Sequence, residues 1–314
     1  MNINHLSQTF FAKTLAARRL RTALYLLLPA LLLLLLVAAL PLGQTILFSF
    51  SNATADDPQA AQWVAFDNYF SVFQGEFLGI LTDTRWWLSV KNTIIFAFFS
   101  VSLELFFGMA IALSLNREFP YRGIVRALVL IPWAIPTIVS AQMWVWMLHD
   151  QYGIINWILT QLGLIDTGVA WLSQPSTALA TIIVIDVWKS TPFMALMLLA
   201  ALQTVPNELK EAARIDGATS WQTFRYIVLP IIFPAVAVAV VFRMLDALRV
   251  FDLIYIANPS DENVISMSVY ARRLLFEYGK FGEGSAASVL LFLVVCGLAI
   301  IWIKVSGVIE RQEH

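Results

Sequence analysis

Charge is scarce in this chain. Only 13% of its 314 residues are Asp, Glu, Lys or Arg, against roughly 25% in soluble domains. So little charge cannot clothe a water-facing surface, and the deficit places the chain in a bilayer. Cysteine is almost missing. Cys296 stands alone inside an apolar run, which excludes an intrachain disulfide and any cysteine-based metal site. The three histidines are His5, His149 and His314, two near the ends and one in a loop. No Cys/His cluster exists for a metal, and none of the three is placed for catalysis. A net charge of −1 gives no global attraction to nucleic acid. Low-complexity tracts and short tandem repeats are lacking as well.

Apolar surface is abundant, with 59% of residues hydrophobic. Six runs reach the ~20 residues that a spanning helix needs. They cover roughly 24–48, 91–115, 127–148, 175–202, 229–257 and 286–306. The first follows Lys13, Arg18, Arg19 and Arg21, as a signal peptide would. Its apolar run is much longer than the roughly 7–15 residues of a signal core, and no small-x-small cleavage site follows, so it is read as a retained span. The expectation is an all-α, polytopic membrane protein. Residues 1–23 form an N-terminal segment, 24–306 a six-span domain and 307–314 a tail.

Lys/Arg placement sets the orientation. With the N-terminus inside, the inner pieces hold Lys13, Arg18, Arg19, Arg21, Arg117, Arg122, Arg126, Lys210, Arg214, Arg225 and Arg311, which is eleven. The outer pieces hold Arg85, Arg272, Arg273 and Lys280, which is four. Both termini and segment 204–228 are therefore expected on the cytoplasmic side. Among the outer pieces, 49–90 is polar and aromatic, with Trp86 and Trp87 at headgroup level. Segment 149–174 has room for a short interfacial helix. Segment 258–285 opens on the turn-rich Asn258-Pro259-Ser260-Asp261 and continues with helical character from Tyr270 to Tyr278.

Segment 204–230 is the one long polar interruption in the second half. Its pattern is two short helices broken at Gly217. Leu209, Ala212 and Ala213 fall at i, i+3 and i+4, a narrow small-residue face suited to close approach. Glu208, Lys210, Glu211, Arg214 and Asp216 fill the rest. Gly217 fits the left-handed position just past a helix end. Thr219 and Gln222 have the spacing of a capping box. Trp221, Phe224, Ile227 and Val228 form the apolar face of the second helix, and Pro230 is expected to begin the next span.

Charges inside the spans are costly and point to a cavity or a partner. Asp186 and Lys189 are three apart in the fourth run. Arg243, Asp246, Arg249 and Asp252 recur at steps of three in the fifth, so each meets an opposite neighbour on a helix. They form either a self-neutralised ladder or the wall of a water-filled path, the latter favoured for Arg243 and Asp246. Glu104 in the second run is isolated and receives no role. Pro132 and Pro136 are expected to kink the third run. Pro192 frees a carbonyl in the fourth. Trp188, Phe193, Arg243 and Asp246 together offer the aromatic faces and polar edges that a sugar ring requires. Trp133, Trp144 and Trp146 are read as core or interface.

Glu211-Ala212-Ala213, Gly217, Ile227 and Leu229-Pro230 resemble, in identity and spacing, the EAA coupling loop of permease subunits of bacterial binding-protein-dependent ABC importers. The segments 188–193 and 242–255, and Gly284-Ser285-Ala286-Ala287-Ser288-Val289, are similar to the carbohydrate branch, nearest the trehalose/maltose and glycoside importers. Asn258-Pro259-Ser260-Asp261 departs from the Gly-Gly-Pro-type turn of many relatives. The resemblance implies a type I importer permease fold in the bacterial inner membrane. It implies a second homologous permease subunit, two ATPase subunits and a periplasmic or lipid-tethered sugar-binding protein as partners. ATP and Mg would bind only on the ATPases, with no cofactor or catalytic residue on this chain. Coupling residues would be Leu209, Glu211, Ala212, Ala213, Asp216, Gly217 and Trp221. The sugar path would use Trp188, Ser190, Phe193, Arg243, Asp246 and Ala247. The competing classes are a membrane-embedded glycosyl or acyl transferase, which lacks a visible nucleophile, acid–base or metal set, and a secondary transporter, which lacks detectable inverted repeats.

Overall fold

Two Leu-Pro pairs shape the first and fifth spans. A proline has no N–H to give to the carbonyl four residues back. In the computed structural model, which describes residues 3–57, 61–257 and 262–306, each pair follows a single π turn. Helix α1 (Ile3–Leu34) passes through a π turn at Leu35–Ala39 into α2 (Leu40–Ser49), with Leu40 N donating to Leu35 O five residues back. In the fifth span, α9 (Ser220–Thr223) passes through a π turn at Phe224–Val228 into α10 (Leu229–Ala247), with Leu229 N donating to Phe224 O. The wider turn absorbs the missing donors of Pro41 and Pro230 without a break. The expectation that Pro230 begins a new segment is thereby corrected: Ser220–Ala247 is one helix.

The remaining elements follow in order. A short hairpin, β1 (Ser71–Phe73) and β2 (Glu76–Leu78), turns at Gln74 and Gly75, both with positive φ. Then come α3 (Thr84–Leu115), α4 (Arg122–Ala134), α5 (Thr137–Met147), α6 (Ile154–Gln161), α7 (Ala178–Gln203) and α8 (Asn207–Ile215). After α9 and α10 the chain forms α11 (Asp252–Ala257), α12 (Met267–Arg272) and α13 (Phe281–Ser306). Among the described residues five helices are long and apolar enough to cross a membrane, and the α4–α5 pair makes a sixth span bent by 86°. The bend falls at Ile135-Pro136, with Pro136 capping α5, as the two prolines lead one to expect. The Asn258–Asp261 turn and the 307–314 tail lie outside the described residues.

The core is the α3–α7 contact, joined by α4 and α10. Along α3 the buried positions Ser100, Glu104, Gly108 and Ala112 recur every four residues, one stripe of the helix. Small residues there let the two backbones approach. A Cβ built on Gly108 would lie 2.9 Å from Met194 Cγ and 3.2 Å from the backbone nitrogen of Ala195. Gly108→Val is expected to force α3 from α7 at a cost of about 1–3 kcal/mol. The readout is the thermal midpoint of the purified protein in detergent, and an unchanged midpoint would contradict this packing.

The end of the bundle away from α8 is tied by polar side chains. Asn92 Nδ2 donates to Asn263 O at 2.7 Å, and Met267 N donates to Thr93 Oγ1 at 3.0 Å. Tyr270 donates its hydroxyl to Asp83 at 2.7 Å. Burial, reinforced by that carboxylate, holds the Tyr270 phenol well above its ordinary pKa, so it stays a donor. Helix α6 is the short helix expected in segment 149–174. Its buried Asn156 organises the loop, with Nδ2 donating to His149 O and Val169 O and Oδ1 accepting from Val169 N and Trp171 Nε1.

Candidate functional site

Arg243 on α10 is buried, and burial of a guanidinium demands partners. It finds them on two other helices. Nε donates to Glu104 Oε2 at 2.6 Å and Nη2 to Glu104 Oε1 at 2.9 Å, a two-pronged pair with α3. Nη2 also donates to Asp186 on α7, and Nη1 donates to Asp246 on α10 itself at 2.9 Å. Four of the guanidinium's five N–H groups are thus engaged with carboxylates. Glu104 and Asp186 are buried with it. The cluster pins α3, α7 and α10 at one point. Glu104, which the sequence left isolated, is half of its strongest link.

Beside this cluster lies a cavity of about 210 Å³. From α7 it receives Asp186, Lys189 and Ser190, and from α10 Arg243, Asp246 and Ala247. Phe96, Trp133 and Thr137 close it from α3, α4 and α5, Arg249 from the turn beyond α10 and Asp252 from the start of α11. The structure therefore brings together Ser190, Arg243, Asp246 and Ala247 of the expected path. It does not bring in Trp188, which packs edge-on against Trp144 at 5.5 Å. Trp188 is half-buried and turned toward α5. Phe193 is one layer back, stacked on Trp133 at 5.6 Å and 17°. Trp133, read as core or interface from sequence, lines the cavity together with Phe96 and Phe251. Arg243 lines it too, with four of its five N–H groups already engaged by carboxylates. Asp246, its side chain 74% exposed, is the reachable acid on α10.

The fifth run is also shorter than expected. Helix α10 stops at Ala247 and Asp252 starts α11, so the ladder at steps of three ends with Asp246. An acid in the first turn of a helix is favoured by the dipole, and Asp252 occupies that place. No glycine or proline marks the break, which is why a continuous run was expected.

Helices α8 and α9 project from the other end. Gly217 has φ +76°, with Gly217 N donating to Arg214 O at 3.1 Å and Ala218 N to Ala213 O at 2.9 Å. This closes α8 as the sequence anticipates. The Thr219–Gln222 capping box is formed in both directions. Only Ala213 of the α8 face is buried; Glu211, Ala212, Asp216 and Gly217 are exposed. Leu209, Ile215, Trp221 and Tyr226 stand in solvent at 42%, 87%, 69% and 74% exposure. Ile215 and Tyr226 were not singled out from sequence. Ile215 lies three residues after Ala212 and continues the apolar stripe to the tip of the helix.

A bundle of apolar spans, a polar cavity among them and an exposed helical element strung between two cavity-lining helices define a transport permease rather than an enzyme. The chain belongs to the family described as "Binding-protein-dependent transport system inner membrane component", which matches residues 104–311. It is 45% identical over 233 residues to the trehalose/maltose transport system permease protein MalF of Thermococcus litoralis, covering 73% of this chain and 78% of that protein. It is 36% identical to the trehalose transport system permease protein SugA of Mycobacterium tuberculosis, covering 91% and 89%. It is 32% identical to the sulfoquinovosyl glycerol transport system permease protein SmoG of Agrobacterium fabrum, covering 90% and 89%. Its fold superposes on a chain of a bacterial ABC transporter involved in import of the acidic polysaccharide alginate, with TM-score 0.76 and 25% identity over 94% of this chain and 98% of that one.

Proposed function

We propose that this chain is one of two homologous permease subunits of an ATP-driven importer for a disaccharide, oligosaccharide or glycoside. A binding protein outside the membrane delivers the sugar, and two ATPase subunits inside supply the work. The names of the MalF, SugA and SmoG relatives support a sugar as cargo. The eleven-to-four charge distribution supports α8 and both termini on the cytoplasmic side. The observation that carries the reading is connectivity. Residues of α7 and α10 form two walls of the polar cavity, and α8–α9 is the segment joining them.

In this reading Leu209, Ile215 and Trp221 seat α8–α9 in a groove on an ATPase, where apolar anchors bury best. Glu211, Ala212, Ala213 and Asp216 complete the seat, and Gly217 sets its angle. Nucleotide-driven closure of the ATPases then moves α8 as a rigid body and with it α7 and α10. Asp246, Ser190 and Lys189 offer acceptors and donors to sugar hydroxyls, and Trp133 with Phe193 behind it offers an apolar face. Arg243 positions Asp246 instead of touching the sugar. ATP and Mg stay on the ATPases.

Asp246→Ala tests the path. Sugar-stimulated ATPase of the assembled transporter is expected to fall at least ~10-fold, the worth of one charged hydrogen bond. Basal ATPase should change less than about twofold by the same reasoning. Equal loss of both would assign Asp246 to structure alone.

A further inference from the structure

The end of the bundle that carries α8 holds two adjoining cavities outside the proposed sugar path. One, of about 230 Å³, is lined by Arg117 just past α3, Lys210 and Arg214 of α8, and Asn116, Ser220 and Thr223. None of these three cations has a carboxylate within ion-pair distance among the described residues. Among the described residues no acidic side chain lines the cavity either. The other, of about 710 Å³, is a groove between α3 and the α9–α10 helix, lined by apolar side chains such as Leu105, Phe106, Met109 and Leu229. The two share Leu113, Arg117, Ser220 and Phe224, so the basic pocket opens directly into the apolar groove.

From the shape and charge of this pair we infer an anionic phospholipid site, with the headgroup phosphate among Arg117, Lys210 and Arg214 and an acyl chain in the groove. Length decides between a lipid and a membrane helix. Along and just past α3 the groove runs from Ser102 to Arg117, about fifteen residue steps or ~22 Å at ~1.5 Å each. Its apolar part, Ser102 to Leu113, is ~17 Å. That is the depth of one leaflet of a ~30 Å hydrocarbon core, whereas a spanning helix needs a seat about twice as deep. Charge decides which lipid. Three cations without a carboxylate partner among the described residues each contribute attraction to an anionic headgroup, and a zwitterionic one gains little. The site rests on the orientation proposed above only in that it faces the cytoplasmic leaflet. Because Lys210 and Arg214 belong to α8, a bound lipid would brace the segment that meets the ATPase.

The test is mass spectrometry of phospholipid retained by the assembled transporter, delipidated in detergent and re-exposed to phosphatidylglycerol or phosphatidylcholine. The wild-type complex is expected to retain phosphatidylglycerol in preference. A variant combining Arg117→Gln, Lys210→Gln and Arg214→Gln should lose that preference by on the order of tenfold. Arg117→Lys with Arg214→Lys should keep it, and Ala110→Trp should lower retention of both lipids by blocking the groove. Equal retention of the two lipids by wild type, or an unchanged preference in the triple Gln variant, would overturn the site. So would loss of the preference on adding inorganic phosphate, which would assign the basic pocket to a soluble anion. A cysteine at Ala110, in a Cys296→Ala background, that cross-links to the second permease subunit would assign the groove to a helix.

Discussion

Arg243→Met is expected to destabilise the protein more than any other single substitution in the spans. It removes four charge-assisted hydrogen bonds and leaves Glu104 and Asp186 buried without their cation. Breaking a buried ion pair in this way costs about 3–5 kcal/mol. The cost belongs to the stranded carboxylates more than to the lost pair. Exchanging the whole cluster, with Glu104→Met, Asp186→Leu and Arg243→Met together, should therefore recover most of the thermal midpoint. The recovered protein should still fail in transport, because nothing then holds Asp246 at the cavity. Thermal unfolding in detergent, run beside sugar-stimulated ATPase of the complex, separates the two effects. A single variant as stable as wild type would show that the cluster is not bearing on the fold.

Gly217→Pro is expected to abolish transport with the protein still inserted and assembled. Proline fixes φ near about −65°, and Gly217 sits at φ +76°. Proline also removes the Gly217 N–H that donates to Arg214 O. The end of α8 would have to be rebuilt and its angle to the bundle would change. Reactions that depend on placement lose ~10²-fold for a misplacement of about 1 Å, and a rigid coupling element depends on placement in the same way. Nothing lies within 4 Å of a Cβ built at this position, so the fold of the bundle is not threatened. Charge reversal at the exposed Glu211 should give the same phenotype through the ATPase interface. Sugar uptake in vesicles, measured beside membrane content of the protein, checks both. Normal uptake in both variants would remove the coupling role from this segment.

Much of this was legible in the sequence because membranes restrict what a chain can do. Every spanning backbone group must be satisfied within a helix, so apolar length alone located the spans. The end of α8 was legible for a local reason: Gly217 and the Thr219–Gln222 pair act on neighbours three or four residues away. The partner of Glu104 was not legible, because Arg243 is 139 positions distant and only the packing of α3 on α10 brings them together. A hint was present nonetheless. The spans held one deep arginine and several acids, and a buried acid needs a cation. The packing of Trp188 on Trp144 was not legible for a related reason. Residue type marks it as a sugar platform, but its partner Trp144 lies 44 positions away on α5, out of reach of local pattern. The end of α10 at Ala247 is not legible in the sequence because no glycine or proline marks it.

The central claim is that this chain moves sugar only as the membrane part of an ATP-driven assembly. Uptake of radiolabelled trehalose or maltose into proteoliposomes tests it most directly, with and without the ATPase subunits, the second permease subunit and the sugar-loaded binding protein. ATP-dependent uptake that requires all of them is the expected result. Uptake by this chain alone, without ATP, would contradict the account.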